Sequence, residues 1–100
     1  MRVNIVNKNG QANIRLLIKH PMETGMRKDK ASGKAIPAHF IKSLVIEHNG
    51  QQVINAKCGV AVSKDPFFFF KVKNVTAGDS FKIKWEDNTG KSETKEEKVA

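Results

Sequence analysis

The chain has 100 residues, 39% of them hydrophobic and 28% charged, with 3 Pro and 7 Gly, a composition that excludes a disordered or collagen-like polymer and suits one folded domain, 1–100, rather than two. Its 18 Lys and Arg against 10 Asp and Glu give a net charge of +8, which speeds encounter with an acidic nucleic acid, small molecule or protein at a rate that falls with salt. The one cysteine, Cys58, excludes an internal disulfide, a CxxC redox pair and a cysteine-rich zinc site.

Met1-Arg-Val-Asn-Ile-Val-Asn-Lys lacks the apolar run of a signal peptide, and no stretch of about 18 apolar residues occurs, so on this evidence alone the chain reads as cytoplasmic. Val3 to Val6 is predicted as a short first strand. From Ala12 to His20, Ala12, Ile14, Leu16, Ile18 and His20 alternate with Asn13, Arg15, Leu17 and Lys19, the period of a strand with one face buried. Pro21 to Ala38 holds Gly25, Gly33, Pro37 and the basic group Arg27, Lys28, Lys30 and Lys34, and is predicted as a long loop of the kind that is functional or mobile. Phe40 to His48 is a second strand, with Phe40, Leu44 and Ile46 on one face. It runs into Asn49-Gly50, a pair suited to a type I′ turn, with Gln52 to Cys58 as hairpin partner.

Asp65-Pro66 punctuates the chain. After it, Phe68, Phe70 and Val72 alternate with Phe67, Phe69 and Lys71, and the lysine assigns the second set to the outer face. Ala77-Gly78-Asp79 reads as a turn before Phe81, Ile83 and Trp85, which alternate with Lys82, Lys84 and Glu86. Asp87-Asn88-Thr89-Gly90 leads into a weak, highly charged last strand, Ser92 to Val99, predicted to lie at a sheet edge or to fray. About seven strands with regularly spaced turns predict an all-β, immunoglobulin-like antiparallel sandwich.

Cys58 shares a face with Ile54 and Ala56, as a small buried hydrophobe does. His20, His39 and His48 with Cys58 do not follow blue-copper order, because every His and Met precedes the cysteine. His20 and His39 bracket the long loop, where anchoring hydrogen bonds account for them. There is no GxSxG elbow and no phosphate-cradling glycine motif. Glu86-Asp87 and Glu96-Glu97 are predicted as solvated carboxylates. No catalytic residue, cofactor or metal is therefore expected. Lys71, Lys73, Lys82 and Lys84 interleaved with Phe67 and Phe69 resemble a stacking platform for single-stranded nucleic acid, which makes a small basic nucleic-acid-binding β domain the competing function; the other reading is a solvated lysine face. In Phe67-Phe68-Phe69-Phe70 only two rings fit one core. Phe67 and Phe69 therefore either form a protein interface or pack under the long loop.

Three stretches stand in order: Ile18-Lys19-His20-Pro21-Met22-Glu23-Thr24-Gly25 with Arg27-Lys28-Asp29; Ile36-Pro37-Ala38-His39-Phe40-Ile41; and Ser63-Lys64-Asp65-Pro66 before the aromatic run. With Ala77-Gly78-Asp79 and Lys84-Trp85-Glu86-Asp87-Asn88-Thr89-Gly90, the chain resembles the SoxZ family of bacterial thiosulfate oxidation. The resemblance implies an immunoglobulin-like, non-enzymatic scaffold that forms a heterodimer with SoxY, whose carboxy-terminal cysteine bears the sulfur intermediates. It also implies transient contact with other periplasmic Sox enzymes, and a periplasmic location reached by co-export with SoxY under SoxY's twin-arginine signal. Nucleic-acid and membrane partners are not expected, and self-association of the isolated subunit stays open. The run Glu97-Lys98-Val99-Ala100 lacks a Gly-Gly-Cys-Gly-Gly arm, and Cys58 is not flanked by glycine on both sides, so this chain is expected to hold the carrier rather than be it. Phe67 and Phe69 are the expected apolar contacts, and Arg27, Lys28 and Lys30 the expected cationic ones. Family members alternate aromatics with a small residue, so Phe69 departs from the pattern.

Overall fold

The computed structural model describes residues 1–59 and 62–99; Ala100, cited above, lies outside them. Seven strands, β1 (Arg2–Lys8), β2 (Gln11–Leu17), β3 (Ile41–His48), β4 (Gln51–Lys57), β5 (Phe67–Val72), β6 (Ser80–Asp87) and β7 (Ser92–Lys98), form two antiparallel sheets. One runs β1-β2-β5 and the other β4-β3-β6-β7. This is the immunoglobulin-like arrangement with β4 paired to β3 instead of to β5. Between the sheets lie Ile14, Leu16, Leu44, Ile46, Phe81 and Ile83, all fully buried. The alternation seen in the sequence is thus the alternation of core and outer face.

Two Asn-Gly pairs turn hairpins. Asn49 and Gly50 have φ of 50° and 84°, and Asn9 and Gly10 have φ of 53° and 82°, the two left-handed positions of a type I′ turn. The first was expected; the second makes β1 longer than Val3 to Val6. Strict alternation through Phe40, Leu44 and Ile46 would bury Lys42. A register shift between Ile41 and Ser43 removes that conflict: Ile41 and Leu44 both point inward while Lys42 is exposed. The strand expected to reach His20 ends at Leu17. Opposite Ile18 stands Pro66, which has no N–H, so only the Ile18 N–H bond to the Pro66 carbonyl remains (3.1 Å). Ile18 and His20 nevertheless keep facing the core.

The connection between β2 and β3 is a ribbon rather than an irregular loop. Glu23 and His39 exchange backbone hydrogen bonds of 2.7 and 3.0 Å, Lys28 bridges Ala35, and the Ile36 N–H reaches the Arg27 carbonyl at 2.7 Å. A seven-residue strand spans only ~23 Å. The 54 Å long axis, against 20 and 17 Å for the others, therefore reflects a hairpin that projects beyond the sheets. β7 lies at the edge as expected, with charge along its length.

Candidate functional site

The stretches that were separate in the sequence meet at the foot of the projecting hairpin. Asp87, at the end of β6, is fully buried, and its Oδ2 receives the Nε2 atoms of His20 (3.1 Å) and His39 (2.8 Å). Its Oδ1 accepts the Thr89 N–H (2.9 Å), the Thr89 hydroxyl (2.6 Å) and the Lys91 N–H (3.0 Å). Burial by itself would raise the carboxyl pKa, but the bonds from Thr89, His20 and His39 outweigh it and hold Asp87 well below the usual carboxylate range. The Met22 N–H donates to His20 Nδ1 at 3.1 Å, which fixes Nδ1 as acceptor and leaves the ring proton on Nε2, pointing at Asp87. The His20 and His39 rings pack edge to face at 4.5 Å, and Trp85 meets His20 the same way at 5.5 Å.

Both feet of the hairpin are tied here. On one side His20 exchanges bonds with Asp65, through the His20 N–H to Oδ1 (2.9 Å) and the Asp65 N–H to the His20 carbonyl (3.0 Å). On the other, Asn88 donates its amide to the Ala38 carbonyl (2.8 Å), and its Oδ1 accepts the Phe40 N–H (2.8 Å). His20, His39 and Asp87 converge closely enough for a metal ion. A metal on His20 Nε2 would put a proton on Nδ1, facing the Met22 N–H, so this donor set fits a hydrogen-bonded clamp and not a metal centre. Sequence reasoning placed the two histidines at the loop ends but read Asp87 as a solvated carboxylate, whereas it is fully buried. Its position before Asn-Thr-Gly, a turn needing a side-chain acceptor, was the available signal.

The second feature is the outer face of the three-stranded sheet. Phe67 and Phe69 point outward, 62% and 43% exposed, and are not covered by the hairpin. Pairing places Arg2, Leu17 and Phe67 in one row, Asn4, Arg15 and Phe69 in the next, and Val6, Asn13 and Lys71 in the third. The Arg15 guanidinium lies 5.7 Å from the Phe69 ring centre and Lys71 Nζ 5.9 Å from it, cation–π contacts worth about 0.5–1 kcal/mol when exposed. A groove of about 410 Å³ at the end of this face is lined by Arg2, Arg15, Leu17, Phe67 and Lys95. The strands β1, β2 and β5 contain Arg2, Lys8, Arg15 and Lys71 and no acidic residue. In β3, β4, β6 and β7, by contrast, six carboxylates stand against six lysines.

That division corrects the expected lysine platform. Lys71 belongs to β5 in one sheet and Lys82 and Lys84 to β6 in the other, so their outer faces lie on opposite sides of the sandwich. Lys82 stands between Glu47 and Glu96 in register. Arg27, Lys28 and Lys30 ride on the projecting hairpin, where Arg27 is paired with Glu23 while Lys28 and Lys30 are exposed. They share the Phe67 end of the molecule, since Ile18 and His20 run beside Pro66 and Asp65, but they are not part of the aromatic face. Cys58 is half-buried, and burial pushes its thiol pKa up, the opposite of what a nucleophile needs.

A search of curated proteins returns no match. The family model described as Sulphur oxidation protein SoxZ matches residues 1–98. That span includes the clamp, the hairpin and the aromatic face together, and the chain belongs to the SoxZ family, with a role in sulfur oxidation.

Proposed function

We propose that the chain is a non-catalytic scaffold that holds SoxY, the subunit bearing the carrier cysteine, and helps present its sulfur-loaded arm to the enzymes of thiosulfate oxidation. The observation behind this reading is the acid-free outer face of the β1-β2-β5 sheet, on which two phenylalanines stand exposed beside ordered cations. Large exposed aromatics with Arg at a patch centre are the residues that dominate protein interfaces. Self-contained chemistry has little support in the side chains: the one thiol has a raised pKa, and His20 is bonded at both ring nitrogens. The clamped hairpin, with Lys28 and Lys30 exposed and Arg27 paired to Glu23, is the proposed contact for acidic periplasmic enzymes, and the periplasm, reached by co-export with SoxY, is the proposed location. Purified chain mixed with SoxY tests the reading. Phe69→Ser and Phe67→Ser are each expected to weaken the complex about tenfold or more, measured by calorimetry; affinity unchanged in both variants removes this face from the interface.

A further inference from the structure

Three of the four cations of the β1-β2-β5 strands fall in line, with Lys8 at the far end of β1 outside it. Arg2 occupies the first row on β1, Arg15 the second on β2, and Lys71 the third on β5, so they form a diagonal across the sheet. Neighbouring strands are ~4.8 Å apart and alternate residues along a strand ~6.7 Å apart, which puts successive members of the diagonal ~8 Å apart at the backbone. Flexible side chains reach from there to carboxylates carried at every second residue of an extended segment, ~6.7 Å apart. Leu17, Phe67 and Phe69 fill the corner on one side of the diagonal; Asn4, Asn13 and Val6 fill the other. The nearest groove is also lined by Lys95 from β7, which is paired with Glu97 at 3.5 Å. Its strand neighbour Glu93 is occupied by the Met1 ammonium (3.0 Å) and the Trp85 indole N–H (3.2 Å).

We propose that this face takes an extended acidic polypeptide segment laid along the diagonal, its alternate carboxylates on Arg2, Arg15 and Lys71 and an apolar side chain on the Leu17, Phe67 and Phe69 corner. The inference rests on the reading that the carrier partner is held here and specifies the chemistry of the segment recognised. Charge complementarity selects the occupant: the three strands of this face carry no acidic side chain, and the Arg15 guanidinium lies over the Phe69 ring.

The test measures binding of SoxY, of a fluorescent dodecapeptide of alternating Glu and Leu, and of a 20-nucleotide oligo-dT, at low and high salt. The full chain is compared with R2Q/R15Q/K71Q and with K57Q/K82Q/K84Q on the opposite sheet, each checked for folding by thermal unfolding. The diagonal variant should lose about tenfold in affinity for the peptide at low salt and flatten the salt dependence of SoxY binding, with the opposite-sheet variant unchanged. Equal losses in both variants, no peptide binding, or tighter binding of the oligonucleotide through the same three residues would overturn the proposal. If Phe67→Ser and Phe69→Ser weaken SoxY but the diagonal variant does not, this inference alone fails; if SoxY ignores all three, the reading beneath it fails.

Discussion

Asp87 accepts five hydrogen bonds on two oxygens with no exposed surface. An asparagine keeps one acceptor and presents two donors to neighbours that are themselves donors. Asp87→Asn is therefore expected to cost about 3 kcal/mol, the range for a broken buried charged network, and a loss of that size lowers the melting temperature of a 100-residue domain by more than about 10 °C. Calorimetry measures it. Asp79 forms a smaller version at the opposite end of β6: the Thr76 N–H, then His48, with lesser help from Asn49, lower its pKa to about 2. Both carboxyls are easier to ionise folded than unfolded, so their stabilisation is complete above the unfolded value of about 3.9. It is lost as pH falls from there toward the folded values. Urea unfolding between pH 6 and 2 should show a steep acid limb, flattened in Asp79→Asn; an unchanged limb would contradict the assignment. His20 and His39 were legible as loop brackets because they flank a breaker-rich stretch. Their shared acceptor was not, since 67 and 48 residues separate it from them and periodicity carries no information about such pairing.

At the scale of elements, local chemistry was readable and register was not. Asn49-Gly50 announces its turn because both φ values must be positive. Asn9-Gly10 has the same chemistry and went unread beside a strand expected to end at Val6. Gly10→Ala tests how much that turn matters. A Cβ there would sit 3.7 Å from the Val75 carbonyl, with room enough, yet φ is +82°, and the left-handed conformation costs an L-residue about 1–2 kcal/mol. Destabilisation of that size by denaturant titration is expected, and none would mean the turn relaxes. The bulge in β3 was invisible for a different reason: it depends on which residues of β6 and β4 stand opposite, and alternation within one strand cannot supply that.

For the whole molecule, the fold class followed from the count and spacing of half-buried strands, whereas the proposed binding surface depended on which strands share a sheet. β5 and β6 are consecutive in the chain and belong to different sheets, which is why the lysine platform dissolved while Phe67 and Phe69 stayed outward. The core between the sheets is expected to be intolerant: Ile46→Ala, at a fully buried position, should cost about 2–5 kcal/mol, read from the shift in urea midpoint.

Cys58, half-buried with its thiol pushed toward the neutral form, also has a chemical consequence for any mixture with a carrier subunit. The only sulfhydryl this polypeptide contributes is a poor competitor for electrophiles at neutral pH. If the chain holds a thiol-bearing carrier as proposed, a limiting amount of maleimide is expected to react first at that carrier's thiol, leaving one unambiguous position to label.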